Sequence, residues 1–218
     1  MNWIGLIVSI VYIALVIFSA RIFEKKSSEI SRKFIHIMLG NWWLIAMIFF
    51  NNVWFASILP ALFVIINYLS YKNNLIGSME REKQDGFGTV YYALSLLIMV
   101  IISFGIFRNP ILGLISTFVM AIGDGFAAII GSKVKSKKYK LSDTKKSFAG
   151  SLTMFCITFF LIVTYMFFMH KDVFFINTHW ILVSIMMAFC ITSVEAVSGK
   201  GTDNITVPIT TMALLLLV

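Results

Sequence analysis

The sequence predicts an all-α, polytopic membrane protein of about seven to eight transmembrane helices, organised as a single integral membrane domain over residues 1–218. Three observations predict it. The chain is 59% hydrophobic and 13% charged, whereas a water-soluble domain is roughly half apolar and about a quarter charged. Its apolar residues fall in runs near the ~20 residues that a helix needs to cross a bilayer. Its lysines and arginines gather in alternate loops, and no loop is long enough to build a separate core.

The spans follow in order. Trp3–Phe23 lacks a basic leader and a small-residue cleavage site, so it reads as a retained span. Phe34–Phe50 follows a basic stretch that ends in Arg32 and Lys33. Asn51–Asn52 makes a tight turn into Val53–Tyr71, which Pro60 is expected to kink. Thr89–Phe107 leads to the turn Arg108–Asn109–Pro110, and Pro110–Ile130 continues from it. Phe148–Met169 and Trp180–Val197 come next. Ile205–Val218 is short; it crosses with help from its neighbours or forms a half-span. Cys156 and Cys190 lie in apolar runs without metal spacing and read as small packing residues.

Loop charge sets the expected orientation. Sixteen of the 18 Lys and Arg residues fall in or beside the loops after the first, third, fifth and seventh spans, among them Lys25, Lys26, Arg81 and Lys83; only Arg108 and Lys171 face the other way. The positive-inside rule puts those loops in the cytoplasm and the N-terminus outside. The formal net charge of +8 follows from this asymmetry. Topology and attraction to anionic lipid account for it, so nucleic acid is not an expected partner.

The polar clusters fall on that same basic side. Asp124 stands inside an apolar span, where an acid is costly and either serves a site or pairs with a lysine. Gly123 and Gly125 flank it, and their missing side chains would let a phosphate or metal approach the backbone. Lys145 and Lys146 precede the sixth span, with ammonium groups suited to a nucleotide triphosphate, although lysines there also set topology. Ser147 is a plausible helix N-cap. Gly150 and Ser151 leave the first turn unshielded, so backbone N–H groups and the positive helix end suit a phosphate. Glu195 closes the seventh span. The turn from Ser198 to Asn204 follows, whose glycines let amides point at an anion. Asp203 and Asn204 carry the oxygen donors that magnesium takes, in a composition equally common in surface turns.

Arg32, Lys33 and His36 open the second span, with Arg32 and His36 on one face. They make either a basic anchor with a packed histidine or a phosphate clamp with His36 as donor or proton carrier. The segment Gly86–Tyr92 brings two glycines and two tyrosines to the membrane interface. Gly199–Lys200 is followed by Gly201, so it is not a P-loop, and the sequence carries neither an HExxH motif nor a nucleophile elbow.

Taken in order, Arg32–Lys33 with His36, Gly88–Tyr92, Gly123–Asp124 with Ala127 and Gly131–Ser132, Lys145–Ser147 with Gly150–Ser151, and Glu195 with Ser198, Asp203, Asn204 and Pro208 form a set. This set resembles the CTP-dependent polyprenol kinase family, which contains dolichol kinase, phytol kinase and the fungal CTP-dependent diacylglycerol kinase. The resemblance implies an all-helical membrane enzyme that moves a phosphoryl group from CTP, with Mg2+, to a lipid alcohol at the cytoplasmic face. It implies that Asp124, Lys145, Lys146, Ser147, Gly150, Glu195, Asp203 and Asn204 hold nucleotide and metal, with Arg32, Lys33 and His36 completing the site. Asp124 and Asp203 are the expected metal ligands, and Glu195 or His36 the acceptor of the hydroxyl proton. Phosphatidate cytidylyltransferases share the lysine pair before a small-residue helix start, but their longer downstream signature is missing after Gly150. A small ion-coupled transporter is the remaining alternative. It would show related halves and polar groups near the membrane midplane, and this chain shows neither. Neither the lipid nor the oligomeric state is legible in the sequence.

Overall fold

In the computed structural model, residues 1–24, 28–73, 87–169 and 178–218 are described; Lys25, Lys26, Arg81, Lys83, Gly86 and Lys171 lie outside them. The element order is α1 (Asn2–Glu24), α2 (Ser28–Phe49), α3 (Val53–Asn73), α4 (Gly88–Val100), α5 (Pro110–Phe118), α6 (Gly125–Lys133), β1 (Lys138–Tyr139), β2 (Lys146–Ser147), α7 (Phe148–Met169), α8 (Thr178–Val197) and α9 (Asp203–Leu215). The architecture is all-α and polytopic, as the composition requires. Only helices satisfy every backbone polar group inside a bilayer without a closed barrel. Outward-facing Ile7, Phe18, Leu62, Ile65, Phe160, Phe167 and Phe189 give the bundle an apolar coat.

Among the described residues, six helices are long and apolar enough to cross a membrane: Asn2–Phe23, Val53–Asn73, Gly88–Ile106, Pro110–Lys133, Phe148–Met169 and His179–Val197. The second and eighth expected spans form helices of another kind. Polar and basic residues fill the first turns of α2. α9 has 13 residues, about 20 Å at 1.5 Å per residue, against a hydrocarbon core of about 30 Å. Both lie within the bundle: α2 packs on α1, α5 and α6, and α9 packs on α4, α5 and α8. Small residues let these inner helices approach closely. A Cβ on Gly40 would come within 2.2 Å of Ala121 Cβ, and one on Gly113 within 2.1 Å of the Trp43 ring. Trp43 is fully buried, and its indole donates to the Pro110 carbonyl at 2.9 Å.

The predicted turns are present. Asn52 Oδ1 accepts from the Trp54 N–H at 2.8 Å, and Asn109 Oδ1 caps α5 by accepting from Ile111 N–H at 3.2 Å. Pro60 sits inside an unbroken α3. Cys156 and Cys190, expected as packing residues, face the outer surface of the bundle instead.

Two departures from regular helix shape the molecule. α4 ends in a π-helical turn over Ile101–Ile106, and α5 joins α6 through another over Val119–Asp124. The fifth span is therefore one rod with a widened turn in its middle. The lysine-rich loop before α7 is folded too: β1 and β2 pair antiparallel, with Lys138 opposite Ser147 and Tyr139 opposite Lys146. The starts of α2, α4, α7 and α9 and the ends of α3, α6 and α8 meet at one end of the bundle, around one cavity.

Candidate active site

This cavity, about 480 Å³, opens between α2, α3, α4, α6, the hairpin and the α8–α9 turn. Of the residues singled out from the sequence, Arg32, Lys33, His36, Asp124, Lys145, Lys146, Ser147, Gly150, Ser151, Glu195, Asp203 and Asn204 all line it. Segments separated by up to 172 positions thus share one chamber, counting from Arg32 to Asn204.

Asp124 is the last residue of the π-helical turn, and such widened turns are frequent at functional sites. It is 6% exposed. Lys33 Nζ donates to its Oδ2 at 2.7 Å, and His36 Nε2 lies 3.6 Å from the same oxygen and 3.3 Å from the Met120 carbonyl. Tyr92 supports this corner: its hydroxyl donates to the His36 carbonyl at 2.8 Å, and its ring centroid lies 4.6 Å from that of His36.

Lys146, on β2, forms the other half of the site. Its ammonium donates to Glu195 Oε1 and, at 3.3 Å, to Asp203 Oδ2. Burial works against the Lys146 charge, but the carboxylates of Glu195 and Asp203 outweigh it and hold its pKa above the ordinary lysine range. Burial and the nearby Asp124 push the Asp203 carboxyl above its ordinary value, with Lys146 opposing them. One oxygen each from Asp124, Glu195 and Asp203 lies within 4.8 Å of the others. Three carboxylates therefore face two ammonium groups, Lys33 and Lys146, in a chamber largely shielded from water.

The glycine pair around Asp124 does not do what the sequence suggests. Gly123 does not line the cavity. A Cβ there would meet Met154 Sδ at 2.8 Å, and one on Gly125 would meet Ile37 Cγ1 at 2.4 Å. These glycines seat α7 and α2 against the widened turn, and the second brings Lys33 and His36 within reach of Asp124. Gly201 does carry a special conformation. Its φ is +80°, and a Cβ on it would come within 2.5 Å of Gly88 Cα. That contact docks the α8–α9 turn on the start of α4, where Asn204 Nδ2 donates to the Gly88 carbonyl at 2.9 Å.

The start of α7 also differs from expectation. Ser147 is its N-cap, accepting from Gly150 N–H at 3.1 Å. However, Phe148 N–H donates to the Lys137 carbonyl at 3.1 Å and Ala149 N–H to Ser136 Oγ at 3.2 Å. The hairpin folds back and takes the donors that the sequence reading left for a phosphate. Ser151 Oγ bonds the Tyr139 hydroxyl. Lys145 lines the cavity and makes no ion pair with a described residue.

Three polar lining residues were not singled out from the sequence: Asn67, Tyr71 and Thr144. Asn67, a lone amide in an otherwise apolar stretch, was the detectable one. Its Nδ2 donates to the Thr89 carbonyl at 3.0 Å.

The acid trio suits a hard divalent cation, which takes carboxylate and amide oxygens. A further donor stands beside it. Asn204 is 8% exposed, and its Oδ1 has no hydrogen-bond partner among the described residues. A buried acceptor left unsatisfied is rare and costs roughly 1–3 kcal/mol, so a ligand for it is expected. The residues present therefore fit a cation such as Mg2+. With it bound, Lys33 and Lys146 would be released toward anionic phosphate.

No family model and no solved structure matches the chain. Among curated proteins it is 30% identical to the phytol kinase of Synechocystis over 212 residues, which is 95% of this chain and 88% of the relative. It is 30% identical to phytol kinase 1, chloroplastic, of Arabidopsis thaliana, and 32% identical to a probable phytol kinase 1, chloroplastic, of Oryza sativa. In each plant case the match covers 84% of this chain and less than two thirds of the relative, 64% and 62%. With that coverage of the Synechocystis protein, the chain belongs to the family of the phytol kinases, the CTP-dependent polyprenol kinases.

Proposed function

We propose that this protein is a membrane lipid kinase that moves the γ-phosphoryl group of CTP to the hydroxyl of a lipid alcohol. The meeting of Asp124, Glu195 and Asp203 with Lys33 and Lys146 in one buried chamber carries the reading. Phosphoryl transfer asks little covalent chemistry of a protein; it needs positioning and charge compensation, which dispersed acids and lysines supply. A phytol-like polyprenol is the favoured acceptor, because the relatives are named phytol kinases; diacylglycerol is the alternative within the family. CTP as donor rests on the family alone.

In this reading Asp124, Asp203, Glu195 and Asn204 hold Mg2+, which offsets phosphate charge when bound. Lys145, Lys146, Lys33 and Arg32 face the triphosphate oxygens. The lipid hydroxyl oxygen attacks the γ-phosphorus, the bond from that phosphorus to the β–γ bridging oxygen breaks, and CDP leaves. The hydroxyl proton passes to His36 or to the Glu195 oxygen that does not face the metal; both residues line the chamber. The basic loops give the chamber a cytoplasmic aspect, with the N-terminus on the opposite side.

Purified protein given phytol, Mg2+ and γ-labelled CTP or ATP tests the proposal. Labelled lipid phosphate, with CTP the better donor, is the expected product. With phosphatidate in place of phytol, release of labelled pyrophosphate with a CDP-lipid would assign cytidylyl transfer instead, and no nucleotide-dependent product with any lipid alcohol or with phosphatidate would overturn both.

A further inference from the structure

A small apolar cavity of about 40 Å³ lies beside the chamber between α2 and the α3–α4 pair, lined by Ile13, Leu39, Trp42, Leu59, Phe63 and Leu96, with Pro60, Asn67, Tyr92 and Ala93 completing it. Leu39, Phe63, Asn67 and Tyr92 line both spaces, so the two adjoin across these side chains. The cavity exists because α2 packs tightly on α1, α5 and α6 but only loosely toward α3 and α4. Along α3, Asn67 to Leu59 is eight residues, about 12 Å of helix. The lining changes over that length from an amide to aliphatic and aromatic carbon.

Polarity along this path runs from an acid–lysine cluster, through Asn67 and the Tyr92 hydroxyl, to aliphatic and aromatic side chains, with the Trp42 indole N–H already bonded to Ser9. An amphipathic molecule with a small hydroxyl head and one hydrocarbon tail has the matching order. A preformed apolar slot favours such a tail without requiring new polar contacts. We propose that the seam between α2 and α3–α4 seats the chain of the acceptor lipid, with the hydroxyl at the Asn67–Tyr92 junction, and that Leu59, Phe63, Ala93 and Leu96 select the chain. Its small volume, about 40 Å³, leaves no room for two chains side by side, so the class it fits is a single-chain alcohol, and a second chain would remain in the bilayer. The inference rests on the lipid-kinase reading for the identity of the head group, not for the location of the tail.

Two experiments separate those parts. A long prenyl alcohol carrying a diazirine in its tail, photolysed with the unaltered protein in nanodiscs, should label Leu59, Phe63 or Leu96. Labelling confined to outward-facing residues such as Phe160 would overturn the seam. Ala93→Phe should then raise KM for phytol by about tenfold while sparing turnover of prenol, whose single isoprene unit stops short of the seam. Retained prenol turnover also reports that the variant folds. An equal loss for both alcohols, or no change for either, would overturn the assignment of selectivity. If no alcohol is phosphorylated yet the seam is labelled, the kinase reading fails and the lipid seat stands.

Discussion

The two halves of the acid–lysine cluster are built differently. The Lys33–Asp124 pair joins two packed helical segments and matches one cation with one anion at 2.7 Å. The Lys146 half joins a two-residue strand to the end of α8 and the start of α9, and shares one cation between two acids. The first half is positioned by helix packing through Gly125 and Ile37, the second by the hairpin and the Gly88–Gly201 contact. A pair between helices is held by the core around it. A shared lysine on a hairpin is held mainly by its charges, so its loss strands more charge.

That difference sets an order of effects. Lys146→Met should be the most damaging change, because Glu195 and Asp203 lose their common cation beside Asp124. Removing one partner of a buried pair costs about 3–5 kcal/mol, read as a lowered unfolding temperature in detergent, and turnover should fall about 10²–10³-fold. Asp124→Asn should reduce turnover by a similar factor but destabilise less, since the stem of Lys33 can extend toward water. Equal destabilisation by the two variants would break the comparison.

The double variant Lys33→Met, Asp124→Asn sharpens it. It should regain about 1–3 kcal/mol over the sum of its single changes, the signature of a coupled pair, and regain no turnover. Ser147→Ala removes the N-cap of α7 and should cost about 1 kcal/mol, with a modest loss of activity because Lys146 is its neighbour. Asp143→Asn should do least. Asp143 meets Lys200 at 3.4 Å, but both side chains are largely exposed, 70% and 58%. Such pairs contribute about 0–1 kcal/mol, so turnover and unfolding temperature should hold.

Lys33, His36 and Asp124 were legible because polar groups stand out in or at apolar spans, where each needs a reason. Glu195 was conspicuous for the same cause, but its place within the acid trio was not, since nothing in linear spacing relates α8 to the fifth span. Gly123 misled because a glycine beside a functional acid looks the same whether it admits a ligand or a neighbouring helix; here the Met154 thioether occupies the space. The free donors expected at the start of α7 failed similarly. A lysine-rich loop gives no sign of folding into a hairpin, and it was the hairpin that brought the Lys137 carbonyl and Ser136 hydroxyl to those N–H groups. Asn67 was passed over because a single amide in an apolar run is a weak signal until its partner, the Thr89 carbonyl, is known.

By itself the sequence determined the all-helical membrane class, the turns, and the gathering of basic residues in alternate loops, because hydropathy and charge act locally and survive any arrangement of the helices. Only the tertiary structure decided which acids share a lysine, that the fifth span widens at Asp124, and that α2 and α9 lie inside the bundle. Those outcomes depend on how closely helices distant in the chain can approach. That distance is set by contacts such as Gly40 with Ala121 and Gly201 with Gly88, and no local pattern encodes it.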